Sequence, residues 1–548
     1  MKAPTIIRNG LLAGSTIATA ALLAVWARAE DVMPATFESK FYKDFPLFST
    51  YPREAEEKQP IEHFGPVGMG IELRLPPFQM WVSRIDKGSP AEAAGKLKVG
   101  QRIESINGQT LKDIDPRIQL GAIITKAEAT DGIIKFMIKD VGEVIVKIPV
   151  LGAYSPTWPL NCPKSDKIVR GEADFLARTG NYAGPGINGL GLLFLLSTGE
   201  ENDLEVARGW VKEVVAKYQN VATMDTYPWY AGYGGIGLCE YYLRTGDATI
   251  LPVIEKLADG LKRQMYNGGW NQKGGVNFGY GHLNAAGVPA ATFLLLAREC
   301  GAQTDEYTLQ ESLKHFYRFA GHGNVAYGDH LPENGYVDNG KTGKLAFQMA
   351  AAAALMPDGE QSVYARARDI SAVKSFYSTS WMLHGHTGGG IGEIWRGAAM
   401  GLMHDKKPLK YREFMDNRQW FYELSRRFDG SMGIVSATHF NGAHYDNPRS
   451  WGIGIALSYT IPRQKLRLAG APPPKFSKPY ALPKRPWGTA ADEAFLSLAS
   501  AADASGKVHN WDNEKLATDA SWPISRRLNA PNVTDEVLLQ YTRHPDIG

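Results

Sequence analysis

The sequence predicts two unlike bodies in one chain: a small α+β domain near residues 62–150, and a large all-α body at 167–461 that reads as an (α/α)6 toroid of six helical hairpins. Three observations predict this. From Gly65 onward, short alternating runs such as FQMWVSRI and IIKFMIKDVGEVIVKI are separated by turn residues, the pattern of strands. After residue 186 one segment type recurs six times, Gly-rich at its start and apolar beyond: INGLGLLFLLSTGE (187–200), GGIGLCEYYLRTGD (234–247), AAGVPAATFLLLARECG (285–301), GKTGKLAFQMAAAAALM (340–356), GGGIGEIWRGAAMGLM (388–403) and WGIGIALSYTI (451–461). Longer amphipathic segments alternate with these, around 168–178 and then at 203–218, 249–265, 305–320, 360–377 and 409–427. Helices converging on one axis leave little room for side chains, so the Gly- and Ala-rich set belongs inside and the longer set covers it. An open solenoid would need capping repeats and a more regular period.

Composition narrows the class. Hydrophobic residues at 44% and charged residues at 21% describe a globular chain, and a net charge of +3 over 548 residues argues against a nucleic-acid partner. At the N-terminus, Lys2 and Arg8 precede an apolar stretch, Leu11 to Trp26, too short to span a bilayer comfortably. Ala27-Arg28-Ala29 then supplies small residues where a signal peptidase reads. Residues 1–29 are therefore expected to be a signal peptide, the protein periplasmic or secreted, with no membrane span after cleavage. The three cysteines, Cys162, Cys239 and Cys300, give neither a disulfide framework nor a zinc pattern. Cys239 and Cys300 sit in apolar runs and read as small buried hydrophobes. No metal or cofactor is expected.

Residues 30–61 are polar and contain proline, an extended lead-in. The next stretch carries its motifs in a fixed order: Gly68-Met69-Gly70-Ile71, then Ser89-Pro90-Ala91-Glu92-Ala93-Ala94, then Leu97, Val99-Gly100, Ile103 and Ile106-Asn107-Gly108. This stretch resembles a PDZ domain of the bacterial periplasmic-protease type. The resemblance implies that backbone N–H groups of Gly68, Met69, Gly70 and Ile71 receive a peptide C-terminal carboxylate, and that an extended peptide adds as a strand. A PDZ fold that only packs on its neighbour is the other reading. Gln101 stands where such domains usually carry Asp, which alters a turn contact rather than the groove.

Residues 151–166, with three prolines, form a linker. In the helical body, Gln264 to Trp270 and Arg427 to Gly433 resemble motifs at the outer helices of the terpenoid-cyclase, prenyltransferase and complement-type barrels, and the toroid equally resembles six-hairpin glycosidases and polysaccharide lyases. The aspartate-rich acid motif of the cyclases and the zinc ligands of the prenyltransferases are absent, so function does not transfer with the fold. PDZ domain followed by toroid also resembles a group of exported bacterial proteins. Residues 462–548 begin Pro- and Lys-rich, a strap over the body, with short helical pieces near 490–503 and 534–542.

In a toroid, the loops leading into the inner helices open on one mouth. Seven of the twelve histidines fall in those loops: His282, His322, His330, His384, His386, His439 and His444. With them come Asp225, Asp329, Asp338, Asp446, Tyr230, Tyr280, Glu393 and Arg396, a concave polar site with acids, bases and aromatics. Helix N-termini at the mouth favour anionic groups. The first functional expectation is an exported protein that binds or cleaves an acidic polysaccharide there, as a glycoside hydrolase or polysaccharide lyase. Asp329, His330 and Glu393 would transfer protons, and His384 and His386 would orient substrate or stabilise an oxyanion. Trp229, Tyr230 and Tyr280 would stack on sugars, with His282, Arg396 and His444 beside them. His384-x-His386 lacks a third metal ligand at helical spacing, and Glu393 with Arg396 equally reads as an ion pair at i, i+3. The competing expectation is a non-enzymatic scaffold whose PDZ domain captures C-terminal or extended peptides of exported proteins.

Overall fold

The computed structural model describes residues 59–61, 64–74, 79–111, 116–180, 189–271, 281–320, 325–328, 341–377, 392–433, 451–484 and 530–541, with single positions 184, 186 and 486. The expected signal segment and the helical piece near 490–503 lie outside them. The small domain is a six-stranded antiparallel sheet whose spatial order follows the chain: β1 (Gln59–Ile61), β2 (Met69–Arg74), β3 (Gln79–Ile85), β4 (Arg102–Ile106), β5 (Ile133–Ile138) and β6 (Gly142–Lys147). Two helices complete it, α1 (Pro90–Ala93) and α2 (Arg117–Ala129). Its first strand comes from the last three residues of the expected lead-in, so the sheet begins ahead of the boundary at 62.

Each piece has a local cause. In β5, Ile134, Phe136 and Ile138 are buried while Lys135 and Met137 are exposed, the period of two that the sequence shows. Ser89 caps α1 by accepting a hydrogen bond from Glu92 N at 3.2 Å, and Pro90 occupies the first helical position. Asn107 and Gly108 both take positive φ, at 50° and 75°, and close the tight turn between Ile106 and Gln109. Gln101 performs the turn contact itself: its side chain accepts from Lys98 N at 2.7 Å and donates to Lys96 O at 3.3 Å.

The large body consists of α3 (Pro163–Thr179), α4 (Gly189–Thr198), α5 (Glu201–Tyr218), α6 (Pro228–Thr245), α7 (Leu251–Gln264), α8 (Asn284–Glu299), α9 (Glu306–Tyr317), α10 (Lys341–Ala354), α11 (Val363–Tyr377), α12 (Glu393–Gly401), α13 (Pro408–Ser425) and α14 (Ile453–Thr460). The even-numbered helices α4 to α14 are the six small-residue segments. Each packs on the next of its set, and α14 packs back on α4. Glycine makes the approach possible: a Cβ on Gly189 would lie 2.6 Å from Gly234 Cα, and one on Gly454 would lie 2.4 Å from Ile394 Cα. Helix α6 starts six residues before the sequence reading, because Pro228 pre-sets the first turn and Trp229 and Tyr233 after it are buried rather than looped out.

The two Gly-rich motifs that follow α7 and α13 both form bridged turns, a tight one between Tyr266 and Gly269 and a wider one between Arg426 and Met432. Residues 464–483 cross the C-terminal ends of the even-numbered helices, facing the left-handed glycines Gly199, Gly246 and Gly301 with Lys465, Phe476 and Lys478. There Arg467 donates to Glu299 Oε1 at 2.6 Å and to the Ala354 carbonyl at 2.8 Å, supplying positive charge where helix ends carry unpaired carbonyls. A final short helix, α15 (Asp535–Tyr541), lies within the C-terminal piece expected near 534–542. Among the described residues no helix is long and apolar enough to cross a membrane.

Candidate functional site

The motif Gly68 to Ile71 opens β2, and the chain reaches it through a buried 3-10 turn, Gly65–Val67. Gly68 is left-handed at φ 73°, with Ser89 so close that a Cβ would sit 2.2 Å from the Ser89 Cβ. Asp86 N donates to Gly68 O at 2.9 Å, and Phe64 N donates to Met69 O at 2.8 Å. These bonds hold the loop in shape. One edge of β2 pairs with β3. The other pairs antiparallel with β1, with Ile61 opposite Ile71 and Gln59 opposite Leu73. A strand can join β2 only on that second edge, and the chain's own residues 59–61 are already there.

Helix α2, which packs on the Gly65–Val67 turn and on β5, is fixed to the large body. It packs on α13, and at Gly121 a Cβ would lie 2.5 Å from Trp420 Cα. A buried quartet spans the contact. Lys164 Nζ lies 2.8 Å from Glu128 and 2.5 Å from Glu423, and Arg426 Nη2 reaches Glu128 at 2.6 Å and also Glu423. Thr125 of α2 donates to Glu423 at 3.2 Å, and Lys164 lies 4.1 Å from the centre of the Tyr154 ring. Two anions meet two cations, so removal from water is compensated inside the cluster. The turn after α13 also reaches the loop, with Phe428 packed near Gly68.

At the N-terminal ends of the even-numbered helices lies a second cluster. Trp229 and Tyr233 of α6 stack at 5.9 Å, and Tyr233 stacks on Trp395 of α12 at 5.8 Å. Trp395 Nε1 donates to the Tyr233 hydroxyl at 3.2 Å. The Lys344 ammonium donates to Ala285 O at 3.2 Å and stands 5.0 Å from the Trp229 ring centre. Lys341 Nζ stands 5.3 Å from the ring centre of Tyr327. Nearby, Arg318 can only donate, so His315 Nδ1 accepts from it at 3.2 Å; His315 Nε2 then carries the proton toward Asn284 Oδ1 at 3.4 Å, and Asn284 donates to Ala326 O at 2.8 Å.

Several expected site residues are placed by this geometry. Trp229 is almost wholly buried in the ring column, whereas Tyr230 is 38% exposed against Tyr227. His282 is buried and its Nε2 donates to Tyr266 O at 2.5 Å, which ties it to the turn after α7. Arg396 is fully buried on α12, and Glu393 is the first residue of that helix. Asp329, His330, His384, His386, Tyr280 and His444 lie outside the described residues, as do His322, His439, Asp338 and Asp446. Lys341, Lys344, Tyr233 and His315 were missed by sequence reasoning. A signal existed for two of them, since GKTGK sets two lysines three residues apart on a helix that must be buried.

Compared with known proteins, residues 81–124 match the PDZ domain family. No curated protein and no solved structure matches the chain. Residues 165–470, more than half of the 548, match a family described as a domain of unknown function, DUF6288, and the chain belongs to that family.

Proposed function

We propose that the protein is an exported peptide-binding scaffold in which a PDZ domain is mounted rigidly on a helical toroid. The observation that carries this reading is the β2 edge with its Gly68–Ile71 loop, an edge that already takes the chain's own residues 59–61 as an added strand, in a domain that the buried quartet fixes to the large body. Strand addition uses backbone hydrogen bonds for affinity and alternate side-chain pockets for selection. Rigid mounting leaves the groove little conformational freedom to lose on binding. The successive packing of α4 to α14, returning to α4, supports closure of the six hairpins into a toroid. The test is binding of a peptide library with free C-termini to the chain from residue 30, beside a Gly70→Pro variant with unchanged circular dichroism. Micromolar binding weakened at least tenfold in the variant is expected, because proline removes a backbone donor. Absence of binding to any peptide would overturn the reading.

A second reading is favoured by the Lys344 ammonium held over Trp229 and Tyr233, with Lys341 one turn away. Aromatic faces beside cations suit an acidic glycan at the helix-end mouth, with Asp329, His330 and Glu393 as the acid–base set and His384 and His386 orienting substrate or stabilising an oxyanion. Screening against uronic and sulfated glycans, reading product release by chromatography, tests it. A Lys344→Met variant should lose the interaction, and neither turnover nor binding by wild type would remove it.

A further inference from the structure

The strand that occupies the β2 edge is part of the same polypeptide, and it is a weak one. β1 has three residues, and only Gln59 and Ile61, opposite Leu73 and Ile71, carry its ladder bonds. Everything around it is strong by comparison. β2 pairs with β3 over six positions, the Gly65–Val67 turn is buried, and α2 is clamped to α13. A rigid groove therefore carries a short occupant that is continuous with the loop meant for a ligand.

We propose that Gln59–Ile61 is a built-in competitor for the peptide groove, and that an incoming extended peptide binds by displacing it. This rests on the peptide-binding reading of the PDZ domain. The displacing partner is an extended segment longer than three residues, because only a longer strand forms more ladder bonds with β2 than β1 gives up. Each net backbone hydrogen bond shifts such an exchange by roughly tenfold or less, so removing β1 raises the apparent affinity for a peptide by roughly ten- to a hundredfold. The same segment supplied in trans should bind once its tethered copy is gone.

The experiment uses the chain from residue 30, the chain from residue 62, and an Ile61→Pro variant of the longer chain that removes one of the two ladder donors of β1. The probe is a fluorescein-labelled peptide spanning residues 53–63 of this sequence, followed by polarisation, with a free-C-terminus peptide library in parallel. Expected results are no measurable binding of the self-peptide to the longer chain, saturable binding to the shorter chain, and intermediate binding to Ile61→Pro. Introducing Gly70→Pro into the shorter chain should abolish it. If the shorter chain fails to fold, the Ile61→Pro variant decides alone. Equal affinities across the three chains for both probes would overturn displacement while leaving peptide binding intact. Self-peptide binding to the shorter chain with no library peptide bound by any chain would support the built-in competitor and overturn foreign-peptide capture instead.

Discussion

The ε-ammonium of Lys164 on α3 lies 2.8 Å from the Glu128 carboxylate on α2, and both side chains are fully buried. With Glu423 and Arg426 of the α13 region they form the quartet that joins the sheet domain to the helices. Replacing Lys164 by Met leaves Arg426 alone facing two buried carboxylates. Breaking one partner of such a cluster costs about 3–5 kcal/mol. Urea unfolding of Lys164→Met should show a loss of that size, and a loss below about 1 kcal/mol would mean the apolar contact between α2 and α13 holds the domains unaided.

The same cluster sets an acid limit. Burial acts to raise the Glu423 carboxyl, but Arg426 and Lys164 outweigh it and hold the group below the usual carboxylate range. A depressed folded value means the contribution is present above the unfolded value, about 4.3, and is lost as pH falls through the folded one. Lys164→Met should therefore move the midpoint of acid unfolding to higher pH, followed by circular dichroism from pH 7 downward. An unchanged midpoint would show that other carboxylates govern acid unfolding.

Glu240 behaves in the opposite sense. Burial pushes its carboxyl up to about 7, against the backbone N–H groups of Leu468 and Arg467 that favour the anion. The folded protein keeps a proton that the unfolded chain has released, so stability is fullest below about pH 4.3 and declines until pH passes the folded value. The decline is on the order of 4 kcal/mol at most. Glu240→Gln should flatten the fall in thermal midpoint between pH 5 and pH 8, measured against wild type. The bonds from Arg467 N at 2.9 Å and Leu468 N at 2.7 Å tie this titration to the strap, so the strap should loosen first on the alkaline side.

How much of this was legible in the sequence differs from place to place. The even-numbered helices were readable because Gly189 and Gly454 are required by close backbone contact, and such a requirement leaves its mark in composition. The PDZ loop was readable because Gly68 must be left-handed and Ser89 must cap the next helix. The quartet was not readable: Glu128, Lys164 and Glu423 are far apart in sequence and each looks like an ordinary surface charge. β1 was hidden for another reason. Three residues with a central proline satisfy no strand pattern, and only the free edge of β2 makes them one. At the mouth, aromatic residues signalled a surface for stacking, but whether rings face a ligand or each other depends on distances that no local pattern encodes.

Trp395 separates those two outcomes. Its indole is fully buried, stacked on Tyr233 at 5.8 Å and 17°, with Phe347 edge-on at 5.2 Å. A ring in this setting is a plug, and its removal leaves a void lined by aromatic faces. Trp395→Phe keeps most of the packing and loses the bond from Nε1 to the Tyr233 hydroxyl, which should cost about 1 kcal/mol. Trp395→Ala should cost about 3–5 kcal/mol, since the large helices around it collapse only in part. A ligand-facing tryptophan would give the reverse pattern, with little change in unfolding midpoint for Ala and a large loss of glycan binding. Thermal unfolding of both variants, with glycan affinity measured alongside, distinguishes a column that closes the helix-end mouth from a shelf that receives sugar there.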